Sequence, residues 1–238
     1  MSLLLFDVDG TLVKSRGAGR VALRAAMLEV WGLTGPIDGH DFRGKTDPWI
    51  VRQLLRFSGW EDGKIDARLP EVWEPYLRHL DAALASSRTR PSPCAGVPRL
   101  LERLTAEGHH LLGLVTGNVA EGATRKLRAA GLDGRFEIGA FGSDSECRDD
   151  LPPLAVARAS RLSGFGFRLD EAIVIGDTPE DVRCARVNGA RVIAVATGGF
   201  DAGVLQAHGP DLLLEDLADT EAVLEAFEGL GASVRGDR

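Results

Sequence analysis

Residues 3–11 read LLLFDVDGT, and the predicted architecture depends on how this segment is interpreted. The apolar run at residues 3–6 predicts a short strand that is buried on both faces of a sheet. Asp7 stands at the carboxyl end of that strand, where open parallel sheets bind their ligands, and Asp9 points the same way because strand side chains repeat every second position. Gly10 allows the backbone to turn sharply. A lone D-x-D-G segment is more often a plain turn, so the remainder of the chain has to distinguish the two interpretations.

Strands and helices alternate through the second half of the chain. Strands are predicted at residues 111–115, 138–141, 172–175, 192–195 and 212–214. Helices are predicted around them, at residues 97–104, 119–130, 152–162, 179–187 and 221–227. This alternation builds a parallel sheet with helices on both faces, and the first strand joins it because its burial requires both faces. We therefore expect an α/β fold with a doubly wound, Rossmann-like parallel sheet, followed by a frayed tail from residue 231.

The segment between the first strand and the alternating region is helical. Apolar spacing predicts a helix over residues 17–31, a second helix with Asp47 as N-cap and Pro48 at its first position, and a third through residues 69–80. Because no strand separates these helices, they predict a small all-helical domain with its own core, inserted after the first strand. The two predicted domains have these bounds: the insertion spans residues 16–91, and the α/β core spans residues 1–15 and 92–238.

Composition narrows the possible partners and compartment. The 238-residue chain has a formal net charge of -7 and no run rich in lysine or arginine, so neither nucleic acid nor a membrane is expected as a partner. Its three cysteines lack CxxC spacing, which favours a reduced cytoplasm and gives no zinc site. The first residues are too short and too acidic for a signal peptide, and no apolar run reaches the length of a membrane span. We expect a cytoplasmic monomer or homodimer.

Three predicted strands end in polar clusters that should meet at one edge of the sheet. The carboxyl ends of parallel strands share an edge, so Asp7, Asp9, Asp177 and Asp181 should crowd together there. Carboxylates that close raise each other's pKa and destabilise the fold unless a cation neutralises them. Hard oxygen ligands without nearby histidine or cysteine favour Mg²⁺. The sequence therefore predicts a magnesium site at this edge.

The ordered set of motifs resembles a known family. D-x-D-G-T, a hydrophobic strand followed by T-G-N, and G-D-T-P-x-D occur in the order found in the haloacid dehalogenase-like superfamily. The helical insertion resembles the helical cap of its phosphoglycolate phosphatase-like members. Members that act as dehalogenases or phosphonate hydrolases lack an acid at the position of Asp9, so the resemblance implies phosphoryl transfer from a small phosphorylated metabolite.

The resemblance also implies roles for individual residues. Asp7 would be the nucleophile that becomes an aspartyl phosphate, and Asp9 the general acid and then the general base. Mg²⁺ would be held by Asp7, the backbone carbonyl of Asp9 and Asp177, with Asp181 in or beside that shell. The phosphoryl oxygens would be bound by residues of the second motif, namely Thr116, Gly117 and Asn118.

One departure from the family pattern concerns the cation that neutralises the nucleophile and the phosphate. The family usually places a lysine between the T-G-N and G-D motifs. In this chain Lys126 is the only lysine in that interval, and no lysine follows it. Lys126 lies in a predicted helix beside Arg125 and Arg128, and we interpret it as part of a solvated face. Arg148, just before a helix start, is expected to take the role, since its planar fork carries a fixed charge. Lys45, before the second helix, is either a contact for a substrate carboxylate or hydroxyl or a solvated lysine.

Two other functions stay open. A phosphomutase of the β-phosphoglucomutase type would use the same core motifs and differ mainly in how the cap holds a second phosphate. A non-catalytic dinucleotide-binding or interaction module is suggested by Gly17, Gly19 and Asp38, which match a relaxed dinucleotide fingerprint. The context disfavours this module, because several residues separate the glycines from the first strand and a helix follows. The first choice is a Mg²⁺-dependent phosphatase of a small phosphomonoester.

Overall fold

A computed structural model describes residues 2–233 and is built around a six-stranded parallel sheet with the order β5-β4-β1-β6-β7-β8. The strands are β1 (Ser2–Phe6), β2 (Val13–Lys14), β3 (Ser92–Pro93), β4 (His110–Thr116), β5 (Ile138–Phe141), β6 (Ala172–Gly176), β7 (Arg191–Val195) and β8 (Leu212–Leu214). The helices are α1 (Ala18–Trp31), α2 (Asp47–Phe57), α3 (Asp62–Arg68), α4 (Trp73–Ala85), α5 (Val97–Glu107), α6 (Ala120–Ala129), α7 (Leu151–Ser163), α8 (Pro179–Val187), α9 (Ala202–Ala207) and α10 (Thr220–Ser233). The predicted α/β class and parallel sheet are confirmed.

Strand β1 lies in the middle of the sheet and is buried on both sides, as its apolar run predicts. It pairs in parallel with β4 and with β6. Leu4 and Phe6 belong to one hydrophobic cluster, whereas Leu3 and Leu5 belong to the cluster on the opposite face. The alternation of side chains along a strand therefore sends one apolar run into two cores.

Helices cover both faces of the sheet. Leu101 of α5, Leu127 of α6 and Phe227 of α10 pack into the cluster that contains Phe6. Leu151 of α7 and Val182 of α8 pack into the other cluster. This arrangement leaves the carboxyl ends of the strands as the edge at which loops from β1, β4 and β6 meet.

The four helices α1 to α4 form a third hydrophobic cluster with its own buried side chains. Met27 of α1, Leu54 of α2 and Leu80 of α4 lie at its centre. The chain leaves the sheet and returns to it through the short antiparallel ribbon β2-β3, in which Val13 pairs with Pro93. This ribbon was not predicted, because two-residue strands carry no periodic signal.

Two details of the helical segment differ from the predictions. Helix α2 has Thr46 rather than Asp47 as its N-cap, since the Thr46 hydroxyl accepts a hydrogen bond from the Trp49 backbone N–H at 3.3 Å. The single helix predicted through residues 69–80 is instead a 3₁₀ turn over Leu69–Val72 followed by α4, and the separate helix α3 precedes them. The apolar stripe was correct, but one stripe can run along consecutive short helices.

The C-terminal prediction is only partly covered by the described residues. Helix α10 continues to Ser233, past the predicted start of the tail at residue 231, and residues 234–238 lie outside the described part of the chain. Within residues 2–233, no helix combines the length and the apolar character needed to cross a bilayer.

Candidate active site

Three acidic side chains that follow two neighbouring strands meet at the carboxyl edge of the sheet. Asp7 follows β1, while Asp177 and Asp181 follow β6, and one carboxylate oxygen from each lies within 4.8 Å of the others. All three residues are buried. The Asp7 backbone N–H donates to the Ile175 carbonyl at 2.8 Å, which continues the β1-β6 ladder to the first acid. Sheet register therefore brings together acids that are far apart in sequence.

Two glycines allow the Asp177 carboxylate to pack against the backbone. A Cβ atom at Gly10, whose φ is +94°, would lie 2.3 Å from Asp177 Oδ2, and one at Gly198 would lie 1.7 Å from the same oxygen. The Thr11 hydroxyl donates to Asp177 Oδ1 at 3.0 Å. A side chain at either glycine would displace the carboxylate, so these positions require glycine for a steric reason.

Arg148 lies beside the first acid, Asp7. Its Nη2 donates to Asp7 Oδ1 at 2.9 Å and also contacts Asp181 Oδ1. Its Nη1 donates to the Gly44 carbonyl of the helical segment at 3.3 Å. The side chain is 4% exposed, so the guanidinium is a buried charge between buried carboxylates.

Asp181 combines a structural contact with a place in the acidic cluster. Its Oδ2 accepts hydrogen bonds from the Thr178 backbone N–H at 3.0 Å and the Thr178 hydroxyl at 2.7 Å. The first of these contacts, together with the Asp181 N–H that donates to the Thr178 hydroxyl at 3.3 Å, forms a capping box at the start of α8. The other oxygen faces Arg148 and the cluster, so the N-capping interpretation and the cluster interpretation both describe this residue.

The three clustered carboxylates share one guanidinium and retain excess negative charge. Burial and the neighbouring Asp181 raise the pKa of Asp7 to about 7, although Arg148 opposes the shift. Burial and Asp7 raise the pKa of Asp177 well above its ordinary value. A hard divalent cation bound by these oxygens would relieve that repulsion, and a donor set of carboxylate oxygens suits such an ion. The residues present therefore fit a divalent metal.

Lys126 contradicts the prediction of a solvated face. Its side chain is 5% exposed, and its Nζ contacts Asp9 Oδ2 at 2.6 Å and Asn118 Oδ1 at 2.5 Å. On α6, Lys126 lies on the buried stripe with Ala123 and Leu127, while the arginines on either side of it lie outside that stripe. The spacing of positions 123, 126 and 127 could have indicated this, but the charge of the residue hid the pattern.

Asp9 has its own set of polar partners, separate from those of Asp7. Burial would raise the pKa of Asp9, but the Lys126 ammonium beside it holds that pKa below its ordinary value. Asn118 Nδ2 donates to Asp9 Oδ2 at 2.7 Å and to Thr116 Oγ1 at 2.8 Å. The Thr116–Asn118 motif therefore contacts the second aspartate. Its predicted binding of phosphoryl oxygens stays a prediction.

A loop of the helical segment lies against the Gly117 turn. The Asp47 backbone N–H donates to the Gly117 carbonyl at 2.7 Å, and Asp47 Oδ2 accepts from the Val119 N–H at 2.9 Å. A Cβ atom at Gly117 would lie 2.0 Å from the Lys45 carbonyl oxygen. Burial raises the pKa of Asp47 to about 6. Sequence analysis missed this contact, since Asp47 was assigned to capping its own helix.

These elements enclose a cavity of about 530 Å³ between the sheet edge and the helical segment. The acids Asp7, Asp9 and Asp177 line its floor, and Lys45 and Asp47 line the side formed by the helical segment. The Lys45 ammonium forms an ion pair with Glu180 and lies 5.3 Å from the centre of the Trp49 ring. Lys45 is therefore at the cavity but already has an anionic partner.

The geometry around Gly17 does not provide a dinucleotide site. Gly17 caps the start of α1 after the two-residue strand β2, which lies outside the main sheet. Helix α1 is followed by α2, so no βαβ unit forms here. Asp38, the proposed ribose contact, is exposed and forms an ion pair with Arg24.

Comparisons with known proteins identify a matching family model, a similar curated protein and similar solved structures. The family model described as haloacid dehalogenase-like hydrolase matches residues 4–186. A phosphoglycolate phosphatase of Synechococcus elongatus is 29% identical over 224 residues, covering 92% of this chain and 95% of the relative. A hydrolase from Pseudomonas syringae has a TM-score of 0.71 and 25% identity, covering 95% of this chain and 99% of that one. A putative beta-phosphoglucomutase from Bacteroides vulgatus has a TM-score of 0.67 and 21% identity, covering 97% and 90%, and it shares the fold.

Proposed function

Because the chain belongs to the haloacid dehalogenase-like hydrolase family, we propose that it is a Mg²⁺-dependent phosphatase that hydrolyses a small phosphomonoester through an aspartyl phosphate on Asp7. One observation carries this proposal. Asp7 and Asp9 line the same cavity, yet each is paired with a different buried cation, Arg148 and Lys126 respectively. Two neighbouring carboxylates in different electrostatic surroundings are suited to different chemical roles.

In the first step, a carboxylate oxygen of Asp7 attacks phosphorus and the bond from phosphorus to the ester oxygen breaks. Asp9 gives a proton to the departing oxygen, so the product leaves as a neutral alcohol. The Lys126 contact keeps the pKa of Asp9 low in the free protein. The charge of a bound phosphate raises that pKa, so Asp9 takes up its proton when the substrate binds.

In the second step, Asp9 accepts a proton from water, and the water oxygen attacks the phosphorus of the aspartyl phosphate. Cleavage of the acyl phosphate releases inorganic phosphate and restores the Asp7 carboxylate. Arg148, which already contacts Asp7, offsets negative charge at the nucleophile through both steps. Thr116, Gly117 and Asn118 are proposed to bind the phosphoryl oxygens.

The divalent ion proposed for the acidic cluster is Mg²⁺. Asp7, the backbone carbonyl of Asp9 and Asp177 would hold it, with Asp181 in or beside the shell. The oxygen-only donor set and the raised pKa values of Asp7 and Asp177 support this assignment. When bound, such an ion offsets the charge of the phosphoryl group and of the nucleophile.

The substrate is proposed to be a small phosphorylated metabolite such as phosphoglycolate. The phosphoglycolate phosphatase of Synechococcus elongatus supports this choice. Residues 16–91 are proposed to act as a cap whose 43–47 loop closes the cavity, and Lys45 would contact a substrate carboxylate or hydroxyl after releasing Glu180. We propose that the protein works in the cytoplasm as a monomer or homodimer.

A panel of phosphorylated metabolites tests the proposal. It contains phosphoglycolate, glycerol 3-phosphate, glucose 1-phosphate and p-nitrophenyl phosphate, each assayed for free phosphate with Mg²⁺ and with EDTA. We expect phosphate release that requires the metal and that Asp7→Asn abolishes, while the exposed control Asp133→Asn keeps the wild-type rate. Turnover by Asp7→Asn near the wild-type rate would exclude the covalent mechanism.

The same panel separates the phosphatase from the phosphomutase alternative. A mutase returns the phosphoryl group to a second hydroxyl of its substrate, so glucose 1-phosphate would give glucose 6-phosphate with little free phosphate. Measuring both products in one reaction assigns the activity. Isomerised product in excess of phosphate would replace the phosphatase proposal with the mutase.

A further inference from the structure

Lys126 is a buried cation at the cavity, and it contacts Asp9 rather than the nucleophile Asp7. It lies on α6, whereas Arg148 precedes α7, and the two cations contact different acids. We propose that Lys126 is a positioning residue for Asp9, fixing through its contact to Oδ2 the orientation of the carboxylate that protonates the leaving group. This inference rests on the phosphatase function proposed above.

The two oxygens of Asp9 differ in their surroundings. Oδ2 accepts hydrogen bonds from Lys126 Nζ at 2.6 Å and from Asn118 Nδ2 at 2.7 Å. Oδ1 is buried and accepts no hydrogen bond of acceptable geometry within residues 2–233. The Ser15 hydroxyl also helps to lower the pKa of Asp9, but it does not give Oδ1 a hydrogen-bond partner of good geometry. Because Oδ1 has no partner that holds it, the contacts to Oδ2 are the ones that fix the orientation of the carboxylate.

Lys126 and Asn118 hold each other as well as Asp9. Lys126 Nζ donates to Asn118 Oδ1 at 2.5 Å, so the ammonium, the amide and Asp9 Oδ2 form a closed triangle of polar contacts. Each side chain in the triangle has two contacts, which restricts rotation of the Asp9 carboxylate about its terminal bond. Loss of the ammonium would leave one neutral donor on Oδ2 and allow the two oxygens to exchange positions.

The helical segment lies next to the end of the Lys126 side chain. A Cβ atom built at Gly19 of α1 would lie 3.4 Å from Lys126 Nζ and 3.7 Å from the Tyr76 hydroxyl. The helical segment therefore closes over the end of the lysine side chain. With its charge enclosed on that side, the ammonium is directed towards Asp9 and Asn118.

The chemistry of the leaving group provides a readout that a merely structural residue would not change. An alkoxide needs a proton as it departs, whereas p-nitrophenolate is stable without one. The value of kcat/KM covers the steps up to formation of the aspartyl phosphate, so it reports on leaving-group protonation and not on the later attack of water. A residue that positions the acid should therefore affect alkyl phosphates more than p-nitrophenyl phosphate.

The experiment compares Lys126→Met with wild type on p-nitrophenyl phosphate and on the alkyl phosphate of the panel that wild type cleaves fastest. We expect kcat/KM to fall by roughly 10- to 100-fold on the alkyl substrate and by less than about 3-fold on the aryl substrate. The loss on the alkyl substrate is smaller than the full ~10²–10⁴-fold that general acids supply, because Asp9 itself is still present. Exposed Arg128 on the same helix provides the matched control, and Arg128→Met should change neither value. Thermal unfolding checks the fold of each variant, and Lys126→Gln replaces Lys126→Met if the latter does not fold.

A double-mutant cycle tests whether Lys126 acts through Asp9. On the alkyl substrate, the double variant Asp9→Asn/Lys126→Met should match Asp9→Asn alone within about 3-fold, because a positioning residue has no effect once its partner is gone. Equal losses on both substrates, additive losses in the cycle, or no loss in Lys126→Met would each overturn the assignment. Absence of phosphate release by wild type on every substrate would instead reject the proposed function, and with it the premise of this inference.

Discussion

The acidic cluster should make the metal-free protein more stable when Asp7 loses its charge. The pKa of Asp7 is raised from its ordinary value of 3.8 to about 7 by burial and by Asp181. The folded state therefore binds more protons than the unfolded state between pH 4 and pH 7, so stability falls as the pH rises through that window. Compared with an Asp7 of ordinary pKa, a shift of this size lowers the free energy of unfolding by about 4 kcal/mol at pH 8 and by about 2 kcal/mol at pH 5.

Asp7→Asn removes that cost while keeping nearly the same shape. In EDTA at pH 8 we expect the variant to gain about 2–4 kcal/mol in unfolding free energy, or roughly 5–15 °C in Tm, since losing the charged contact to Arg148 offsets part of the gain. At pH 5 the gain should shrink by about half, because Asp7 is then largely protonated in the folded state. Adding Mg²⁺ should stabilise wild type more than the variant, since the ion favours ionised Asp7.

Urea unfolding followed by circular dichroism at pH 5 and pH 8, with EDTA or Mg²⁺, measures these differences. Asp133→Asn, which changes an exposed acid, serves as the control and should follow wild type under all four conditions. If Asp7→Asn is less stable than wild type in EDTA at pH 8, the repulsion attributed to the cluster is wrong, and Arg148 alone balances the acids.

Two further predictions concern the surroundings of the cluster. Gly198→Ala would place a Cβ atom 1.7 Å from Asp177 Oδ2. We therefore expect a loss of about 1–3 kcal/mol in stability and weaker activation by Mg²⁺, measured by titrating the hydrolysis rate with the metal. Unchanged activation would contradict the steric argument. Arg148→Met would leave Asp7 and Asp181 buried without their guanidinium. We therefore expect the free energy of unfolding to fall by about 3–5 kcal/mol in EDTA at pH 8 and by less at pH 5. A loss that does not depend on pH would show that packing dominates.

Most of the fold could be predicted from local patterns. Strands β5 and β8 and helix α8 have the predicted bounds, and most other predicted elements of the sheet region differ by one or two residues at either end. These elements have strong apolar patterns and clear terminating residues, such as Pro179 at the start of α8. The ribbon β2-β3 and the division of residues 69–80 were not predictable, because short elements depend on neighbours that are distant in sequence.

The motifs of the sequence were enough to place Asp7, Asp177 and Asp181 at one edge, because parallel strands of a single sheet have their carboxyl ends together. Arg148 could be placed beside Asp7 for the same reason, since it follows a strand of that sheet. The directions of the Lys126 and Asp47 side chains depend instead on packing between distant elements. Lys126 lies on a helix whose buried stripe ends at the cavity, and Asp47 contacts a turn contributed by β4. A long or charged side chain is solvated unless packing supplies a buried partner, and such a partner from a distant element leaves no pattern in the local sequence.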